Sequence, residues 1–178
     1  ETAFNIKPYA RYLAASEDLE PGQGWNYTEI LRYLNTHPDT ADGAGIGKAI
    51  ADSYKEKTDA EFHGTVFLTF SVVDLERLSP SLEVALEALA SRIQGYLSQG
   101  QEGWVPVASA RSLSHDFANS RLEWEFYDMV DLKDMALNMK SLAPAEAAVL
   151  QSAVEHAVIY KVQTLRPEAY GLTIYFPS

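Results

Sequence analysis

Three carboxylates, Glu17, Asp18 and Glu20, crowd the stretch "ASEDLEPGQGWNY" that runs from Ala15 to Tyr27. Acids so close together can hold a calcium ion, hold a basic side chain, or simply face water. An EF-hand loop needs alternating acids over twelve residues and a closing Glu, and this stretch does not provide them. Calcium therefore stays open as a ligand here, and no other cofactor is indicated. Composition alone reads the stretch as a solvated acidic turn. Its position argues for more, because it directly follows the apolar run "YARYLAA". Loops at the carboxyl ends of strands in α/β proteins are where ligands bind.

The other chemistry-bearing runs are weaker. "DGAGIGKAI", Asp42 to Ile50, has the look of a phosphate loop but carries Asp42 where the motif needs Gly and Ala49 where it needs Ser or Thr. No strand precedes it, so it reads as a Gly-rich helix start. Asp128, Asp131 and Asp134 would share one face of a helix and be solvated there, unless Asp131 caps the helix that follows. His37, His115 and His156 stand apart from acids at ligand spacing, which leaves no metal site. The chain has no cysteine, so it contains no disulfide, thiolate ligand or thiol nucleophile.

These residues need a scaffold, and the pattern supplies one. Tyr9 to Ala15 reads as a buried strand. Asn26 and Glu29 have capping-box spacing, so a helix starts near Tyr27, with Ile30, Leu31 and Leu34 as its apolar face. A second helix runs from about Gly45 to Lys57, with Ile46, Ile50 and Tyr54 on one stripe. Thr65 to Val73 is the clearest strand. Ser79 and Pro80 start a helix that continues to about Ser98, with Leu82, Leu86, Leu89, Ile93 and Leu97 facing inward. Helix is also expected over part of Val107 to Phe117, in a short piece near Asp131, and from Pro144 to about Val158. On that last helix Val149, Leu150, Ala153, Val154 and Ala157 form the apolar face. "IYKVQT" and "GLTIYF" read as strands, the second as one buried on both faces. The alternation of helix and strand predicts an α/β layered fold.

Bulk properties narrow the partners. The 178 residues make one domain or a large piece of one. With 25 acids against 14 bases the net charge is −11, which repels phosphate backbones and argues against nucleic acid. No apolar run approaches the roughly 20 residues that span a bilayer, so no membrane partner is expected. The opening "ETAFNIKPYARY" has neither an initiator Met nor a signal peptide, and reads as the middle of a domain in a processed or truncated polypeptide.

Four blocks carry a family resemblance. "PYARYLAASEDLEPGQGWNY" resembles the segment after the catalytic cysteine in clostripain-family peptidases, where a "YLVASEETEPGDGW"-like run is usual. "LTFSVVDLERL", "YDMVDLKDMA" and "GLTIYFPS" are similar, in order, to that family's "LSVIDLSKI", "YDLVDLGDFA" and "GLSIYFP" blocks. The blocks run from Pro8 to Pro177, nearly the whole chain. The resemblance implies a caspase-like fold, a layered sandwich with a mostly parallel sheet and helices on both faces, with residues 1–178 as the part of one peptidase domain that lies C-terminal to the catalytic Cys. The Cys and His would then belong to an N-terminal fragment of the same protein, with the thiolate attacking a peptide carbonyl and His as acid and base. His63-Gly64 does not match the family's His-Gly pair, which follows a hydrophobic strand, whereas this one precedes it.

The resemblance also implies roles. Ser16, Glu17, Asp18, Glu20, Gln23, Gly24 and Trp25 become substrate-binding candidates, with an extended peptide pairing near Gly24 and Trp25. A peptide or protein would be the substrate, and the location secreted or at a bacterial cell envelope. Family members cleave after Arg or Lys, helped by an acid where this chain has the neutral Gln23. Either Glu17, Asp18 or Glu20 substitutes, or an acid before the Cys serves alone, or the preference has shifted. A non-catalytic peptide-binding domain, or pseudopeptidase, of the same fold is the alternative. An unrelated acidic α/β domain would reveal itself by lacking a parallel-rich sheet ending in Leu172 to Phe176.

Overall fold

The β-branched and aromatic run "LTFSVVD" forms a strand with every residue buried, β2 (Leu68–Asp74). It is the middle strand of a three-stranded sheet, between β1 (Tyr12–Ala15) and β5 (Val158–Thr164). The computed structural model describes residues 2–78, 80–117 and 127–177. Along the chain, α1 (Thr2–Ile6) leads into β1, and α2 (Tyr27–Thr36) and α3 (Gly43–Phe62) lead into β2. A 3-10 turn (Leu75–Arg77) opens the way to α4 (Ser81–Leu97) and α5 (Gln101–Leu113). A second sheet, in the order β3 (Asp116–Phe117), β4 (Met129–Asp131), β6 (Thr173–Tyr175), is joined through α6 (Leu132–Asn138) and α7 (Pro144–Ala157).

Successive strand residues point to opposite faces, and the two faces of β2 meet different layers. Leu68 and Phe70 pack with Ala51 and Tyr54 of α3. Val73 joins the larger core built by α4, α6 and α7, with Leu82, Leu89, Met135, Leu150 and Val154 inside it. The sheet thus lies between helical layers, and the fold is α/β and layered.

The strand directions differ from expectation. All four pairings among the described residues are antiparallel: β1 with β2, β2 with β5, β3 with β4, and β4 with β6. A single crossover helix returns the chain for a parallel strand. Here two helices, α2 and α3, lie between β1 and β2, so the chain enters β2 from the opposite end.

Several helix starts follow their caps. Asn26 accepts the Glu29 N–H, Asp42 the Gly45 N–H, and Pro144 opens α7. Ser79 lies outside the described residues, and Pro80 occupies the cap of α4. The expected apolar face of α2 is not buried: Leu31 is 64% exposed and no α2 residue is in the core. On α4, Leu97 is partly exposed, and Ala85 takes its place among the buried residues. On α3 the buried stripe is Gly47, Ala51, Tyr54 and Thr58, one position round from Ile46 and Ile50. Val149 points outward from α7 while Leu150, Ala153, Val154 and Ala157 are buried. Strand β6 is short and half-buried, with Tyr175 outside, rather than covered on both faces.

Candidate functional site

The acidic stretch leaves the end of β1 and is tied down at once. Register pairs Ala15 with Ser71, so the next alternate position on β2, Thr69, faces the point where the chain peels away. Thr69 is buried, and its Oγ1 accepts the N–H groups of Glu17 and Asp18, both at 3.0 Å. With both lone pairs used, its own hydrogen goes to Ser16 Oγ, 2.8 Å away. Ser16 in turn donates to the Asp18 carbonyl at 2.8 Å. One hydroxyl therefore sets the direction in which the loop leaves the sheet.

Each acid of the loop has a different environment. Glu17 is 9% exposed, and its Oε2 accepts the Gly171 N–H at 2.8 Å. Burial, and then the neighbouring Asp131, hold its carboxyl well above the usual carboxylate range. Asp18 forms an ion pair with Arg166, Oδ2 to Nε at 3.0 Å, and its Oδ1 accepts the Leu19 N–H. Leu165, just before that arginine, has a left-handed φ of 58°, which costs a branched residue of order 1 kcal/mol and turns the chain so that Arg166 reaches Asp18. The Arg166 guanidinium also lies 3.6 Å from the centre of the Phe67 ring. Glu20 is exposed and accepts the Trp25 indole N–H at 2.9 Å. The stretch is thus a wall with one surface carboxylate and two anchored ones, not a uniformly solvated turn.

The far half of the loop rests on α3. Gln23 donates from Nε2 to Thr58 Oγ1 at 2.9 Å, while its Oε1 is buried without a hydrogen-bond partner. The Lys57 ammonium donates to the carbonyls of Gln23 and Gly24 at 2.9 and 3.2 Å, with Trp25 O at 3.4 Å. Gly24 has a φ of 64°, which lets the backbone turn those carbonyls toward one cation. Trp25 packs edge-on against Phe70, with ring centres 5.5 Å apart. Beneath it, the buried Tyr54 hydroxyl lacks a partner, and burial together with Glu20 pushes its phenol up.

A cleft of about 620 Å3 opens beside the loop. Leu13, Ala15, Ser16 and Glu17 form one side and Gly171 to Tyr175 the other, with Ser71 and Val73 as floor. Of the seven sequence candidates only Ser16 and Glu17 line it; Asp18 and Glu20, like Gln23, Gly24 and Trp25, do not.

The three aspartates of "YDMVDLKDM" do not share a solvated helix face. Asp128 has a φ of 48° and pairs with Arg111 at 3.3 Å. Asp131 is 0% exposed and caps α6, and Asp134 is half-buried, its carboxyl raised chiefly by burial. His115 is not apart from acids either: its Nδ1 lies 3.5 Å from Glu168. Its backbone N–H reaches Asp134 at 3.3 Å. His63 is exposed at the end of α3, and among the described residues no group of three or more His, Cys, Asp or Glu could hold a metal ion. Thr69, Lys57 and Arg166 were not among the sequence candidates. They lie far along the chain from the loop, and nothing local marks them.

No helix of the described residues is long and apolar enough to cross a membrane. A family model described as the clostripain family matches residues 1–173. No curated protein matches the sequence. Among solved structures, an inactive zymogen C11 protease from Parabacteroides distasonis is similar at 17% identity and a TM-score of 0.54, over 99% of this chain and 45% of that one. A secreted C11 cysteine protease from Bacteroides thetaiotaomicron, in complex with an irreversible peptide inhibitor, is similar at 14% identity and 0.62, over 98% of this chain and 48% of that one. A clostripain from Bacteroides thetaiotaomicron ATCC 29148, in complex with the peptide inhibitor BTN-VLTK-AOMK, is similar at 19% and 0.57, over 97% and 71%. The chain spans less than half the length of the first two. At such identities the likeness is one of fold.

Proposed function

The chain belongs to the clostripain family, and from that premise we propose that it is the C-terminal part of a cysteine endopeptidase domain that supplies the substrate loop. Residues 1–178 then contribute sheet, flanking helices and the wall Ser16–Trp25, and an N-terminal part of the same protein contributes Cys and His. The observation that carries this is the anchoring of the loop. Thr69, Arg166, Thr58 and Lys57 hold it from β2, from the turn after β5 and from α3, as a peptide-binding wall requires.

Peptide is the substrate class, in keeping with the peptide inhibitors bound by two of the similar structures. A basic residue before the cleaved bond is the preference we assign, supported by the VLTK peptide of one inhibitor. Gln23 brings no charge to that residue, so Glu20, the exposed acid of the loop, is the carboxylate best placed to meet it. Secretion is supported by one relative described as secreted.

The test is mass spectrometry of the natively purified protein together with an assay on fluorogenic peptides ending in Arg, Lys or norleucine. We expect a Cys-bearing segment to travel with this chain, and cleavage after Arg and Lys that a thiol alkylator abolishes. Binding of the peptides without cleavage, and without a Cys-bearing segment, would establish the non-catalytic binding domain instead.

A further inference from the structure

Three segments distant in sequence meet at Gly171. Its N–H points at two carboxyl groups, Glu17 Oε2 at 2.8 Å and Asp131 Oδ2 at 3.2 Å. Its carbonyl accepts Ser71 Oγ at 2.8 Å. The φ of 113° and the closeness of neighbours leave no room for a side chain, since a Cβ would sit 2.8 Å from Val158 Cγ1 and 2.9 Å from Ser71 Cβ. The turn before β6 is thus pressed onto the first sheet, with two acids sharing a single donor.

The acids are unequally provided for. Asp131 accepts four N–H groups: Lys133 and Asp134 at Oδ1, both at 2.8 Å, and Tyr170 and Gly171 at Oδ2, at 2.7 and 3.2 Å. That shell suits an anion. Glu17 accepts one N–H, and its Oε1 is buried with no donor. Two buried negative charges sharing one N–H repel strongly, whereas a proton on Glu17 turns the contact into a carboxyl-to-carboxylate hydrogen bond.

We propose that Glu17 is a positioning residue, a hydrogen-bonding latch that fastens the root of the Ser16–Trp25 loop to Asp131 and Gly171. It does not contact the substrate's charge. The proposal rests on the reading of that loop as the substrate wall. Burial and Asp131 hold the proton on Glu17, while Lys161 of β5 pulls the other way. The Lys161 ammonium is itself engaged, donating to the Ala169 carbonyl at 2.6 Å. Asp18 and Arg166, the nearest charges along the loop, neutralise each other.

A group with a raised pKa in the bound geometry contributes fully below its ordinary value and is lost as pH rises through the raised one. Rising pH therefore ionises Glu17, sets it against Asp131, and loosens the loop. In E17Q the amide keeps both contacts, donating to Asp131 and accepting from Gly171, and cannot ionise.

The test is equilibrium binding of a fluorescein-labelled, end-blocked Ala-Ala-Arg peptide to the full protein from pH 5 to 9. Hydrogen-exchange protection of residues 17–25, corrected for intrinsic rates, is measured in parallel. Wild-type affinity is expected to fall severalfold as pH rises. E17Q should stay level across the range, and E17A should bind weakly throughout. An E17Q curve that falls as the wild type does would overturn the latch. Uniformly weak binding by E17Q would also overturn it and would make Glu17 a contact for the peptide's cation. If the peptide fails to bind wild type at any pH, the substrate-wall reading falls. Exchange then decides the latch alone, which stands if protection falls with pH in wild type only and fails if it does not.

Discussion

In the proposed reading of the loop, Gln23 is the position where a neutral side chain stands in place of an acid. Its amide reaches Thr58 but brings no charge to the loop. An Asp in its place would accept from the Thr58 hydroxyl and add a carboxylate near the peptide. Charge-assisted hydrogen bonds are roughly twice as strong as neutral ones. Gln23→Asp should therefore raise kcat/KM for a peptide ending in Arg about tenfold, a gain of ~1.4 kcal/mol, and leave a citrulline peptide unchanged. Equal rates for the two proteins on the Arg peptide would remove Gln23 from the proposed substrate contacts. Residue types were legible in the sequence and their environments were not. Glu17 and Asp18 are neighbours with similar side chains, yet one takes an N–H from 154 residues away and the other an arginine from 148. Nothing in the local run separates a buried acid from a paired one.

Between elements, two close contacts carry the site. Thr69 of β2 serves three groups of the loop through one oxygen. Thr69→Val keeps the shape and leaves two N–H groups near the sheet without an acceptor, which costs about 1–3 kcal/mol apiece when such groups stay buried. The loop should pull away instead, so the amides of Glu17 and Asp18 should exchange faster while those in the centre of β2 stay protected. Unchanged exchange at both would show that the backbone alone holds the loop. On the other face, the glycine run that mimics a phosphate loop is a packing device. A Cβ on Gly47 would lie 2.8 Å from Val72 Cγ1, so α3 rides close on β2 only because that position is bare. Gly47→Ala should cost about 1–3 kcal/mol by overpacking, seen as a lower midpoint in urea at an unchanged slope. Local signals did reveal the elements: Asn26, Asp131 and Pro144 mark helix starts because caps act over a few residues. Strand direction was not legible, since it depends on how many helices intervene and how they pack. For the same reason the lack of parallel pairs among the described residues, expected of an unrelated domain, does not mark one here, because the family model matches residues 1–173.

Across the whole molecule, the formal charge of −11 treats every acid alike, and the fold does not. Glu17 and Asp134 both have carboxyls raised chiefly by burial. Each binds its proton more tightly folded than unfolded. The stability each contributes is complete below the ordinary carboxylate range and is lost as pH rises through its raised value. Self-repulsion of the excess acids grows in the same direction. The thermal midpoint should therefore fall as pH rises above the ordinary carboxylate range. Salt separates the two causes, because it screens exposed repulsion but scarcely reaches a buried pair. In 0.5 M NaCl the part of the decline due to surface charge should shrink, while the part due to Glu17 should persist in wild type and vanish in Glu17→Gln. A midpoint that rises steadily from pH 5 to 8 in both salts would mean that ionised acids stabilise the fold on balance, and would count against the raised carboxyls of Glu17 and Asp134.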